Sequence, residues 1–455
     1  MRVPAVSCLF LLLAAGPAAA ATLADAPVGA RVTVPAFEWA PGKAFAGDVV
    51  LQRIDVYARD ARIVAITADG AVEVPRSRLQ FFINDAKHTA SRMYFAVDPA
   101  SGRVSGALFD TADGVRLFEG SVDKAGRLAI SKSAAAPSGL AACGGSPTAA
   151  PLADAGSEPL RFDHLVLPKA TAALSKAVVA VDTDNELFEK MFGGTNTAAA
   201  TDYIAELFAG VNAVYQADLE LAVEQGATRL RTTAVTDPFV QTDMFPLLSE
   251  FGGHWMTNEV GTPRAFATLI SGKSPSPNSS SGLAWLLGND NYCSRTGNVQ
   301  AGNQVAGHYS VNQIFTNLAF KANNVWLVGH ELGHNLGAAH THCTNKTTLA
   351  APSTSNTIDQ CFSNAAFDPG CYDGPRSCPN EAAPFNGAGS MMSYCHFPAQ
   401  IGGPDPGCNP TQLKFHPVHQ TLLAPKIATN LQQGCFSAVV ENPFFFFSGF
   451  EPGEG

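Results

Sequence analysis

Eleven residues in the second half of the chain carry its densest chemistry: His330-Glu331-Leu332-Gly333-His334-Asn335-Leu336-Gly337-Ala338-Ala339-His340. Residues four apart on a helix share a face, so His330 and His334 can direct two imidazoles at one point. Gly337 can adopt a positive φ and end the helix, after which the chain doubles back and His340 can reach the same point from outside. Three imidazoles leave a fourth tetrahedral position for water, the layout of a catalytic zinc site rather than a closed structural one. Glu331 follows the first ligand and faces that water, where its carboxylate can serve as general base. With 11 His among 455 residues, the five positions together arise by chance on the order of 10⁻⁵ times per chain. The plainer alternative is a helix whose histidines merely satisfy hydrogen bonds, and that figure weighs against it.

Such a site needs a helix beneath it and a sheet behind it. Asn323 to Val328 has a polar start, and Val325, Val328 and Leu332 then fall on one side, which suits a buried helix leading into the motif. Upstream, Ala177 to Val181, Ala265 to Ile270 and Leu283 to Leu287 read as strands, and Asp202 to about Leu221 as a helix. The serine- and proline-rich stretch 274–281 reads as a surface loop, and a last helix is predicted from about Val418 to Leu431, after His416-Pro417. Mixed strands and helices over 171–436 indicate an α+β domain. Before it, Val32 to about Ile130 shows short alternating runs broken by Gly and Asp turn signals, so 22–132 is predicted to be a β-rich domain. Residues 133–170, rich in Ala, Pro, Gly and Ser, read as a linker, and 437–455, with Phe444 to Phe447, as a C-terminal tail.

The apolar content of 46% rules out wholesale disorder, and a net charge of −10 argues against a nucleic-acid binder. The charge is uneven: residues 1–168 hold 16 basic and 16 acidic groups, residues 169–455 hold 13 and 23. Arg2, the apolar run Ala5 to Ala15 and the small residues Ala18-Ala19-Ala20 fit a secretory signal peptide over 1–21. No segment is apolar for long enough to span a bilayer, so no membrane insertion is expected. Secretion makes the cysteines informative. Cys8 leaves with the signal; Cys293, Cys343, Cys361, Cys371, Cys378, Cys395, Cys408 and Cys435 can close four disulfides, in any of 105 pairings; Cys143 is left over.

On these residues the chain resembles the metzincin metallopeptidases, whose extended motif is H-E-x-x-H-x-x-G-x-x-H followed by a methionine turn. A matching turn stands at Gly389-Ser390-Met391-Met392-Ser393-Tyr394-Cys395, with Met392 in the place of the methionine that the family sets beneath the zinc. The branch most resembled is the reprolysin (adamalysin-like) group, on the β-rich N-terminal segment, the disulfide-bonded second half, His340-Thr341-His342-Cys343 and a final helix closing on Cys435. The resemblance implies a twisted mixed sheet with an active-site helix. It implies a secreted zinc endopeptidase made as a zymogen, with one catalytic Zn2+ on His330, His334 and His340, Glu331 as base, and proteins or peptides as substrates. Calcium is compatible with such a domain, although no motif indicates it. Tyr394, two residues past the turn methionine, matches a tyrosine that some metzincins use to ligate zinc or steady the oxyanion; structural packing is the competing role.

Cys143, followed by Gly144-Gly145, is similar to the propeptide cysteine that several metzincin zymogens place on the fourth zinc position; an intermolecular disulfide or an idle thiol are the alternatives. A cut between about Pro151 and Lys176 would then release the propeptide. A non-catalytic secreted binding protein that keeps the zinc scaffold is the rival reading, and Glu331 argues against it, because a module needing only zinc has no use for the base. His342, His396, His416 and His419 are expected to be surface or core histidines. His254 and Trp255 are candidates for lining a cleft.

Overall fold

The computed structural model describes residues 23–143 and 174–439, apart from short stretches at 24, 36, 41–42, 46, 86–90, 111–113, 124–125, 137–139, 287–292, 294–297, 300–304, 381–386, 400–401, 405–407 and 409–411. The signal-peptide reading, the linker beyond 143 and the Phe-rich tail lie outside the described residues.

The N-terminal part folds into short strands, as its alternating pattern requires: β1 (Arg31–Val34), β2 (Val49–Ile54), β3 (Ile63–Thr67), β4 (Gly70–Val74), β5 (Gln80–Asn84), β6 (Arg92–Val97), β7 (Arg103–Asp110), β8 (Gly114–Val122), β9 (Leu128–Ala135) and β10 (Leu140–Cys143). Seven of them form an antiparallel sheet in the order β1-β2-β5-β6-β7-β8-β9. Successive side chains on a strand face opposite ways. Tyr94 and Ala96 of β6 therefore enter one core, while Met93, Phe95 and Val97 enter another with Phe37, Trp39 and Phe118.

The second part supplies β11 (Ser175–Thr183), α1 (Asn185–Phe192), α2 (Thr197–Leu219), β12 (Leu221–Arg231), α3 (Met244–Asn258), β13 (Phe266–Ser271), β14 (Ser279–Ala284), β15 (Tyr309–Gln313), α4 (Lys321–Leu336), α5 (Pro417–Gln432) and β16 (Ser437–Ala438). A nine-stranded sheet runs β10-β14-β15-β13-β11-β12-β3-β4, with β16 beside β11. Strands β11, β12, β13 and β15 are parallel, and β14 runs against β15. Both faces are covered, so the inner strands β13 and β15 are buried along their whole length. Phe266 and Ile270 of β13 pack with α2 and α4, and Ala267 and Leu269 pack with α3.

The mixed α/β second part and the antiparallel β-rich N-terminal part match the predicted fold class. Two details differ. The predicted linker from 133 begins with the end of β9 and with β10, because β14 offers a ladder to pair with. The predicted loop 274–281 ends in β14, which starts at Ser279. Serine has no strong strand preference, and pairing with β15 on one side and β10 on the other recruits it.

The eight cysteines of the second part form four disulfides: Cys293–Cys435, Cys343–Cys371, Cys361–Cys395 and Cys378–Cys408. No helix among the described residues is long and apolar enough to cross a membrane.

Candidate metal centre

Helix α4 carries the first part of the motif and is buried from Asn324 to Leu336. It ends at Gly337, whose φ of 100° lies in the left-handed region and whose N–H caps the last carbonyls. The chain turns there as its glycine requires, and His340 comes back alongside the helix. The three imidazole Nε2 atoms converge: His334 Nε2 lies 3.0 Å from His330 Nε2 and 3.0 Å from His340 Nε2.

The outer nitrogens fix the tautomers. His330 Nδ1 lies 2.7 Å from the Met391 carbonyl, and His334 Nδ1 lies 2.7 Å from the Ala338 carbonyl. A carbonyl only accepts, so each Nδ1 carries the proton and each Nε2 presents a lone pair. His340 Nδ1 in turn donates to Asp368 Oδ2 at 3.0 Å. Burial pushes the His330 and His334 imidazoles well below their ordinary pKa, and the facing imidazoles push the same way. Burial lowers His340 as well, against the pull of Asp368. Three buried lone pairs aimed at one another repel unless a cation sits among them, and a borderline-soft divalent ion such as zinc suits an all-imidazole set.

Asp368 was not legible as a site residue. Its Oδ2 accepts from His340 and from His342 Nε2, both at 3.0 Å. Burial would raise its carboxyl, but His340 and then His342 hold it below the ordinary carboxylate range. His342 thus stands behind His340 and does not join the three converging nitrogens. The Cys343–Cys371 disulfide ties the segment after His340 to the segment that carries Asp368.

The turn at Met391-Met392 lies directly under α4. A Cβ on Gly329 would stand 3.1 Å from Met391 Cε, and one on Gly333 would stand 2.7 Å from Met392 Sδ. These two glycines, four residues apart on one face, clear the room the methionines occupy; their spacing was the overlooked signal. The Met392 carbonyl accepts from Thr341 N at 3.1 Å, which anchors the residue after His340. Tyr394 is fully buried; its ring lies 4.1 Å from the His340 ring, with Phe362 and Phe397 at 4.9 and 4.7 Å.

Glu331 is buried on α4 and abuts β14: a Cβ on Gly282 would stand 2.2 Å from its Oε1. Asn335 fastens the helix to the sheet by donating to the carbonyls of Trp285 and Tyr309 at 3.1 and 3.0 Å. The backbone of Cys143 stands in β10 at the register position of Gly282, while its side chain lies outside what the structure describes. Trp255 does not line a cleft. It is fully buried, and its Nε1 donates to Asp182 at 3.2 Å, within the ion pair that Asp182 makes with Arg231. His254 lies 3.1 Å from the same arginine.

Residues 174–396 match the sequence profile of metallo-peptidase family M12, Reprolysin_5. No curated protein matches. Among solved structures, the crystal structure of metalloproteinase-II from Bacteroides fragilis is similar at 12% identity, covering 71% of this chain and 85% of that one with a TM-score of 0.35. The structure of a chaperone–substrate complex is similar at 12% identity over 44% of this chain and 32% of that one, with a TM-score of 0.26.

Proposed function

Residues 174–396 belong to metallopeptidase family M12, and from that premise we propose that the protein is a secreted zinc endopeptidase made as a zymogen. The observation that carries this reading is the convergence of three Nε2 lone pairs on one helix and its return, with the Glu331 carboxylate beside strand β14, next to the sheet's edge strand β10. His330, His334 and His340 would hold the metal, and Met392 would floor the site. Zinc in this set supplies a Lewis acid for a water and for the scissile carbonyl. Glu331 takes the proton of the attacking water and returns it to the leaving amine. Once β10 is displaced, strand β14 offers backbone groups to which an extended peptide can pair. Tyr394, closed in by aromatic rings, supports the His340 imidazole by packing. Four disulfides suit an oxidising compartment, which supports secretion. The test is proteolysis of a denatured-protein mixture by the purified mature form: cuts that vanish with a chelator and return with zinc are expected, and cutting unaffected by chelation would overturn the reading.

Gly282→Ala should separate the base from the metal. The new Cβ must displace Glu331, and a displacement near 1 Å costs about 10²-fold in rate. Zinc content should not change; kcat and metal analysis on the same sample check both.

Asp368→Asn should weaken zinc binding by about 10–100-fold, as expected when the group orienting a ligand loses its charge. Competition with a chelating dye reads it directly. Unchanged affinity would mean that His340 is positioned without the carboxylate.

The zymogen reading draws support from β10, which already pairs with the β14 positions that a peptide would need, and which brings Cys143 opposite Gly282, next to Glu331. A cysteine thiolate that reached the three imidazoles would be a natural fourth zinc ligand. Cys143→Ser precursor should therefore gain peptidase activity or self-process earlier than the wild-type precursor. X-ray absorption should find sulfur on zinc in the wild type alone. A nitrogen-and-oxygen shell in both, with equal latency, would leave β10 as a steric block without a thiolate.

A further inference from the structure

We infer that the N-terminal β-rich segment is a permanent subunit of this protein: cutting the linker leaves it bound to the second part instead of releasing it. The juxtaposition that carries this is a single core and a single sheet built from both sides of the linker.

Helix α2 is buried without interruption from Tyr203 to Tyr215. A helix apolar on every side needs cover on every side. Strand β12 and helix α4 cover part of α2, and strands β5 and β6 of the N-terminal sheet cover another face. Gly210 marks the closest approach: a Cβ there would stand 2.6 Å from Val325 of α4 and 3.1 Å from the ring of Tyr94 on β6. The N-terminal residues Val56, Ile63, Phe81 and Tyr94 belong to the same apolar core as Val179, Leu207 and Leu327. Released into water, the second part would expose a long apolar helix face, which a lone globular domain does not leave open.

The sheet gives the same answer through its backbone. Strand β3 pairs in parallel with β12, from Ile63 opposite Thr228 to Ile66 opposite Arg231. Gln225 N donates to the Val56 carbonyl at 2.7 Å, Thr228 N to Arg62 at 2.8 Å and Thr232 N to Ile66 at 3.1 Å. Without β3, β12 becomes a bare edge with unpaired donors. Between the same two parts, Arg92 of β6 pairs with Asp218 of α2 at 2.5 Å, the side chains 11% and 3% exposed, and loss of the N-terminal part would remove the guanidinium from that largely buried carboxylate. Each contact lies outside the metal centre, so a permanently bound N-terminal part is compatible with an open cleft once β10 is displaced.

The test uses the full chain with Cys143→Ser and Glu331→Gln, which removes both a stray disulfide and self-cleavage, so its outcome does not depend on peptidase activity. A site for a specific protease is introduced between 151 and 170, and the folded protein is nicked. None of the four disulfides crosses the cut, so retention measures packing alone. Both pieces should run as one species by gel filtration and native mass spectrometry after dilution to about 1 µM, where a Kd weaker than micromolar would show as dissociation. They should part only in denaturant, and the amides of α2 should keep their hydrogen-exchange protection. Separation in native buffer, precipitation of the second piece alone, or loss of α2 protection on nicking would overturn the inference.

Discussion

Glu331→Gln is expected to keep the metal and lose peptide hydrolysis by about 10²–10⁴-fold, the contribution of a positioned general base. The substitution is close to isosteric, which matters here because Glu331 is fully buried and Gly282 leaves no slack beside it. An amide fits the same space and cannot take a proton from water at neutral pH. The three imidazoles are held by the Met391 and Ala338 carbonyls and by Asp368, none of which involves Glu331, so zinc content and melting temperature should stay near the wild-type values. Turnover of a peptide substrate and metal analysis on one preparation check the two halves of the expectation together. Near-normal turnover would remove Glu331 from the mechanism.

The motif was legible because everything that shapes it is local. Helical periodicity puts His330 and His334 on one face, and Gly337 turns the chain within one residue, so the folded geometry follows from an eleven-residue window. The turn methionine was legible by resemblance, while the physical reason for its position, the Gly329 and Gly333 clearance, needs the two segments side by side. Asp368 was illegible for a different reason. It reaches His340 across an irregular, disulfide-tied segment with no period to read, and any of the 105 cysteine pairings could have placed it elsewhere. Helix α3 was not among the elements read from the sequence; in the fold Gly252 lets it lie against β15, a Cβ there standing 2.9 Å from the Val305 carbonyl and 3.0 Å from Tyr309. Strand pairing between the two parts is non-local and so has no period to read. Charge and composition divide the chain near its linker, yet β3 and β4 join one edge of the second sheet and β10 the other.

Replacing a histidine of the cluster should have the largest effect on the metal itself, and the three positions should differ in what else they disturb. Each Ala substitution leaves two imidazoles, a poor site for zinc, so affinity should fall by more than the about 10–100-fold expected of Asp368→Asn. His334→Ala removes the nitrogen that lies 3.0 Å from both others, and the remaining pair then has no common neighbour. His340→Ala also removes a partner of Asp368, whose buried carboxylate keeps only His342. That variant should therefore lose stability in the metal-free form as well, whereas His334→Ala frees only the Ala338 carbonyl at the helix end. The large apolar core, in which Leu332, Leu336, Met391 and Met392 pack, keeps all its members in both variants and should persist. Zinc titration followed by thermal melting in the presence of a chelator separates the two effects. Full zinc occupancy in His340→Ala would sink the three-imidazole assignment, and an equal melting temperature for the two chelated variants would remove Asp368 from the account of how His340 is held.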